Sequence, residues 1–505
     1  MSSHKTIAKN TMFLYIRMFL IMGITLYTSR IVLEQLGISD YGIYSLVGGV
    51  VAMFGFFNAA MSSATQRYLS YDIGRGDKFQ LQKTFSATLT LHIGIAILGF
   101  VLAETIGLWY VNFKMVVPDD KLFSVNIVYQ FSILTFIVGI IQVPYNALII
   151  SHEQMKVYAY MSIIEVILKL GAVYILIFFP SYKLIVYSIL IFAVSFLISL
   201  FYQMYCRKKY EESIFKFEYD KKYYKELISY SGWNLFGNIA WISKNQGVNL
   251  IINLFFGTVL NASYAITNQV TTAISLFVSN LQTAFNPQII KKYSQQDYVG
   301  TQNLIFQGSK FSYLLILLLI MPILLNTDYI LKLWLNEVPD YTVVFVKLAL
   351  LNVLIESLSG TLMTGAQATG KIKWYQIIIG TLIFFNLPLA YYFLKLNFSP
   401  PVIFKISNII SLIALLCRLI ILNKTLKLSY KLYFKNVLLK IAYISCFAVI
   451  YYSLYINFFK ESISFIRFIL DSSFCVLILI ILIYLVCFNK AEKKEIGLYI
   501  KNKIK

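Results

Sequence analysis

Read as a helix, residues 228–256 carry Ser231, Asn234, Asn238, Trp241, Asn245 and Asn249 within about 80° of one another, a polar stripe through an otherwise apolar run. The next apolar run repeats the pattern with Asn268, Thr272, Ser275, Ser279, Gln282 and Asn286. Amides, hydroxyls and an indole break no bonds; they donate and accept hydrogen bonds and offer a surface for stacking. Facing hydrocarbon, such a stripe would be very costly, so it must look at protein or water. Two readings stand side by side: hydrogen bonding between helices, or the wall of a cavity that takes a hydroxyl-rich molecule. Two parallel stripes in consecutive helices favour the wall, and Lys244 lies at its flank, near the middle of its run.

A charge at membrane depth costs at least about 2.5 to 3.5 kcal/mol on insertion scales, so each deep one is a functional candidate. Three cations lie deep: Lys244, Lys169, and Arg17, which sits a turn and a half inside the first run. Lys169 has Glu165 four residues before it, which fits a structural ion pair as well as a binding role. Glu356 is the other deep acid, either a coupling group for a proton or cation or the partner of Lys244. Arg17 either meets an anion or reaches the cytoplasmic headgroups. Arg30 and Glu34, one helical turn apart at the outer end of the first run, can pair there and tune the outer mouth. The chain has 3 histidines and 5 cysteines with no CxxC, so neither a metal site nor a cofactor is expected.

These residues need a membrane scaffold to position them. Of 505 residues, 59% are hydrophobic and 13% charged, which excludes a soluble chain. About fourteen runs reach the roughly 20 apolar residues that a spanning helix requires. They begin with 11–33, 42–65 and 84–108 and end with 436–459 and 463–488. The runs are continuous rather than alternating, which argues for helices and against a barrel. MSSHKTIAKN leads into a full-length span without a small-residue cleavage site, so no cleavable signal peptide is expected. Alternate connections hold roughly 28 Lys and Arg on one side, against Lys114, Lys121, Lys332 and Lys460 on the other, which predicts cytoplasmic N- and C-termini. The net charge of +21 then reads as topology and contact with anionic phospholipid, not nucleic-acid binding. Outer connections are short, the longest lying around WYVNFKMVVPDDKLFS, which counts against a membrane glycosyltransferase or polymerase.

A constant shift pairs Gly37 with Gly257, Tyr44 with Tyr264, Asp77 with Asp297 and Gln82 with Gln302, and a slightly shorter one pairs Lys156-Val157-Tyr158 with Lys373-Trp374-Tyr375. This predicts a six-helix half over 1–205, a cytoplasmic linker at 206–227, a second six-helix half over 228–423, and two added spans with a basic tail over 424–505. The expected fold is an all-α polytopic membrane protein of two parallel repeats, with a cavity between the halves that rocking exposes to each side in turn.

The stretch SRIVLEQLGISDYGIYSLVGGVVAMFGFFNAAMSSATQRYLSYDIGRGD (29–77), the SHEQMKVYAY turn after span four and the layout of spans resemble the bacterial polysaccharide flippases, the Wzx-type O-antigen transporters. Their superfamily, the multidrug/oligosaccharidyl-lipid/polysaccharide transporters, also holds the multidrug extruders and the lipid II flippases. The resemblance implies movement of an undecaprenyl-pyrophosphate-linked sugar unit to the outer leaflet of a bacterial inner membrane, for O-antigen or capsule. It also implies work beside a polysaccharide polymerase and other assembly proteins. Arg17, Lys169 and Lys244 would meet the phosphates, and the amides and Trp241 the sugar. The last two spans would cradle the lipid tail as in lipid II flippases, or merely pack. The competing transporter reading is a cation-coupled multidrug extruder. Such extruders often place an acid in span one, where this chain has no Asp or Glu before Glu34. No nucleotide-binding motif is present, so ATP hydrolysis is not the expected power source.

Overall fold

A computed structural model describes residues 3–488 apart from 53–54, 114, 116–120, 180, 218–219, 336–337 and 459–463. Lys114, Lys460 and the tail from residue 489 therefore lie outside the described residues, as do the side chains of Arg30 and Asn245. Among the described residues the elements are helices, with no strand, and 10 helical segments are long and apolar enough to cross a membrane, from Lys78–Phe113 to Phe465–Cys487. The protein is an all-α polytopic membrane protein.

The spans expected near the start of each half lie in two longer helical runs. In α1 (Ser3–Ala52), Gly37 breaks the helix with φ 77° and ψ 166°. Only glycine takes that conformation without a Cβ clash, so the turn between the first two spans is written in one residue. In α8 (Lys221–Ser294), Lys244 contacts Glu356 while Gln282 contacts the neighbouring Ser357. A straight helix would hold Lys244 and Gln282 about 57 Å apart. The chain therefore doubles back within α8, and Val248 and Ile252 of one leg share a buried cluster with Leu260 and Tyr264 of the other.

The chain divides into two compact units. The first comprises Met1–Ile239 with Pro287–Asp297, and the second Ala240–Asn286 with Tyr298–Lys505. Their borders fall inside α8 rather than in the 206–227 linker, and one coincides with Pro287, whose missing N–H leaves a helical hydrogen bond unmade. The first unit buries Leu69, Phe85, Tyr145 and Leu148 between α2 (Phe56–Arg75), α3 (Lys78–Leu102) and α5 (Leu122–Ser151). The second buries Phe345 of α11 (Thr342–Ser357) against Phe404 of α15 (Val402–Leu426), their rings 4.8 Å apart.

Positions paired by the repeat behave alike. Asp77 immediately precedes α3 and caps it by accepting the Gln80 N–H at 3.0 Å; Asp297 immediately precedes α9 (Tyr298–Leu325). Gly76 and its counterpart Gln296 both take left-handed backbone, as do Glu153 and its counterpart Gly370. Gln82 donates its amide to the Ile214 carbonyl at 3.1 Å, and Gln302 donates to the Lys427 carbonyl at 3.3 Å. Each glutamine thus ties the third helix of its half to the segment leaving the sixth.

Candidate functional site

The first unit contains a cavity of about 500 Å³ walled by α1, α6 (Met155–Ile175) and α7 (Lys183–Lys209). Arg17, Thr25 and Thr28 face it from α1, and Ser162, Glu165 and Lys169 from α6. The polar positions on α6 recur every three or four residues, which lines them along one side of the helix over about 10 Å. The structure thus brings together Arg17, Glu165 and Lys169.

Arg17 lies with its guanidinium 4.5 Å from the centre of the Tyr158 ring, and its Nη2 donates a long bond of 3.4 Å to the Tyr158 hydroxyl. Its Nε is buried and has no hydrogen-bond partner among the described residues. A guanidinium offers five donors, so this one retains capacity for an acceptor. Lys169 Nζ donates to Glu165 Oε1 at 2.6 Å, and the two side chains stay 36% and 29% exposed. With two cations to one carboxylate, this trio carries one positive charge in excess.

The second unit holds a different trio. Lys244 Nζ donates to Glu356 Oε1 at 3.1 Å and to Asn352 Oδ1 at 3.5 Å. Ser411 donates to the same Glu356 oxygen at 3.2 Å and accepts from Asn352 Nδ2 at 2.9 Å. Glu356 is therefore the partner of Lys244, which is only 13% exposed while Glu356 is 44% exposed. Nearby, Arg418 of α15 donates from Nε to the Tyr375 hydroxyl at 3.1 Å and from Nη1 to Ser359 Oγ at 3.0 Å. Tyr375 lies in the first turn of α13 (Lys373–Phe384) and is the repeat counterpart of Tyr158.

The amide stripes divide in use. Ser231, Asn234 and Asn238 belong to the first unit, Trp241 and Asn249 to the second. Asn234 is 3% exposed and Ser231 donates to the Leu227 carbonyl at 2.8 Å, so both are packed within protein. Gln282 donates to the Ser357 carbonyl at 3.3 Å, and its amide fills the space over Gly360, where a Cβ would stand 2.2 Å from it. Asn286 accepts from Thr364 at 2.7 Å. Gln282 and Asn286 thus join helices, as interhelical amides do. Trp241, Asn268 and Glu34 are exposed, and Asn238 and Asn249 half-buried.

A second cavity of about 350 Å³ in the second unit is almost wholly apolar. Leu317 and Met321 of α9, Leu351 and Leu354 of α11, and Ala448 and Val449 of α17 (Leu439–Phe458) line it. The first of the two appended spans therefore forms one wall. Tyr313 and Ser445 join across it by a 2.6 Å hydroxyl pair, and Lys347, its cation, lies 3.7 Å from Asp328.

Sequence reasoning missed Tyr158, Arg418, Tyr375, Asn352 and Ser411. The aligned tyrosines were the available signal for Tyr158 and Tyr375. Among the described residues, no group of His, Cys, Asp and Glu could hold a metal ion.

The sequence family described as polysaccharide biosynthesis protein matches residues 7–293. The chain belongs to the polysaccharide biosynthesis protein family. No curated protein matches this family member. Solved structures resemble its fold. A crystal structure of a MATE protein in complex with MaD3S is 12% identical, with a TM-score of 0.72 over 85% of this chain and 97% of that one. An outward-facing multidrug resistance MATE family transporter of the MOP superfamily is 11% identical, with a TM-score of 0.73 over 84% and 96%. A MOP superfamily transporter from Pyrococcus furiosus, described as having a binding pocket of reverse polarity, is 12% identical, with a TM-score of 0.69 over 85% and 99%. This member of the polysaccharide family thus has the fold of the MOP transporters.

Proposed function

We propose that this protein flips an undecaprenyl-pyrophosphate-linked oligosaccharide from the cytoplasmic to the outer leaflet of a bacterial inner membrane by alternating access, supplying O-antigen or capsule synthesis. The observation that carries the reading is the charge of the first unit's cavity, where Arg17 and Lys169 outnumber Glu165 and Arg17 keeps a buried, unpartnered donor. A cationic drug entering it would meet repulsion, whereas a pyrophosphate would find charge-assisted donors. Thr25, Thr28 and Ser162 offer hydroxyls to a sugar. The apolar cavity beside α17 suits a polyprenyl tail. No bond is made or broken in this task, so no catalytic group or cofactor is invoked. The asymmetry of Lys and Arg supports cytoplasmic termini, and handing the cargo on calls for a polymerase and other assembly proteins in the outer leaflet.

Purified protein in liposomes, offered either a fluorescent lipid-linked oligosaccharide or a cationic dye, tests the reading. Flipping of the sugar lipid, lost in R17Q and K169Q, is expected. Transport of the dye with an inert sugar lipid would instead make the protein a multidrug extruder.

A further inference from the structure

The segment after α7 is tied to the start of α3. Gln82 donates to the Ile214 carbonyl at 3.1 Å, and the Lys216 N–H donates to Ser86 Oγ at 3.0 Å. Ser86 lies just inside the third apolar run, which begins at residue 84, so the backbone of 214–216 is level with the start of that run. Yet its side chains point away from the protein. Ile214 is 52% exposed, Phe215 44% and Phe217 64%, and Phe79, one helical turn before Gln82 on α3, is 67% exposed. In water each would forgo roughly 1.5 to 3 kcal/mol of burial.

The glutamine anchor does not force this exposure. At the counterpart junction Gln302 holds the Lys427 carbonyl, and the next residue, Leu428, is fully buried. Charges of both signs flank the patch, with cations in the majority among the described residues. Lys216 stands between the two phenylalanines, and Lys78, Arg207, Lys208 and Lys209 are exposed in the flanking sequence, against exposed Asp77 and Glu211, while Glu212 is bound to His152 and Asp220 to Lys83. Aromatic side chains flanked by lysines, at the boundary of the hydrocarbon, match an anionic headgroup layer.

We infer that residues 214–217, with Phe79, form an interfacial patch that inserts into the cytoplasmic leaflet and selects anionic phospholipid there. The patch lies within the first unit, in the segment between α7 and α8. The inference does not depend on the cargo, and it uses the proposed orientation only to name the leaflet.

The test uses full-length protein in phosphatidylcholine liposomes, with Phe217→Trp read as a difference from the parent. The added emission should be blue-shifted and quenched several-fold more by a minority of brominated phosphatidylglycerol than by the same fraction of brominated phosphatidylcholine. Lys78→Gln with Lys216→Gln should abolish that preference while leaving the blue shift. Water-like emission reached by iodide would overturn the inference. Equal quenching by both lipids would do so too, by removing headgroup selection. Shielding that vanishes as protein is diluted in the bilayer would assign the patch to a second copy of the chain and equally overturn it.

Discussion

Tyr158 and Tyr375 occupy counterpart places in the first turns of α6 and α13, and each holds an arginine that has no counterpart: Arg17 from the first helix of its half, Arg418 from the last helix of the other. The Arg418 contacts are short and doubled, those of Arg17 long and incomplete. By geometry Arg418 is structural, and Arg17 is the one open to a ligand.

Removing Arg17 should therefore stop flipping without unfolding the protein. R17Q is expected to reach the membrane at normal levels and to flip at least tenfold more slowly in liposomes. R17K should recover little, since an ammonium cannot stack and fork as a guanidinium does. Y158F, which keeps the ring, should cost less than Y158A, which forfeits a cation–π contact worth about 0.5 to 2 kcal/mol. Normal rates in R17Q would remove the residue from the site.

Lys244 and Glu356 should behave as a pair. E356Q leaves a largely buried ammonium with only amide partners, and K244Q removes the ammonium that Glu356 accepts from. Each single change should lower stability by about 1 to 3 kcal/mol, and the double change K244Q/E356Q should return most of it. Thermal unfolding in detergent reads the coupling; additive losses would mean the ion pair contributes nothing.

Asp72, in the connection between the second and third spans, is 4% exposed, and burial pushes its carboxyl up to about 6 against the hydrogen bond from Thr84 and the charges of Arg67 and Arg75. Asp77 adds to the upward push. An acid whose proton is held more tightly in the folded state stabilises fully below its ordinary value of 3.8, and that contribution is lost as pH rises through about 6. Stability should thus fall between pH 4 and 6 by up to about 3 kcal/mol from this group. D72N should flatten that slope, as followed by melting temperature against pH.

Glu153 holds φ 61° where its counterpart is Gly370, a conformation that costs a side-chain residue about 1 to 2 kcal/mol. Its carboxylate accepts from Lys291 and from Gln288, each at 2.7 Å. E153G should relieve the strain and lose both contacts, for a net loss of about 1 kcal/mol, whereas E153Q, which keeps the length and an acceptor oxygen, should lose only the ion pair. A stabilised E153G would show that the contacts do not offset the strain.

Much of the scaffold was legible because hydropathy is a property of each run alone. Gly37 stood out in the alignment and takes left-handed backbone; Gln82 and Gln302 stood out in it too and make the same bond. The site was less legible. No local pattern places Arg17 against Tyr158 across more than a hundred residues, because adjacency of helices depends on packing. Periodicity disclosed that Gln282 lies on a polar face, but the amide serves a backbone carbonyl there. A helical wheel reports which side is polar, not what stands opposite. The apolar cavity beside α17 had only the greasiness of the last spans to announce it.

Gly74 stands against the end of α8 so closely that an added Cβ would lie 1.9 Å from Ser294 Oγ and 2.8 Å from Lys291 Cα. Under the shift that aligns Asp77 with Asp297, Ser294 is the counterpart of Gly74 itself. A position that touches its own copy is what a two-fold dimer produces at its axis. Within one polypeptide the same contact marks where a once self-matching surface has been free to become unequal. A glycine on one side now makes room for the serine on the other, a division of labour that two identical subunits could not adopt.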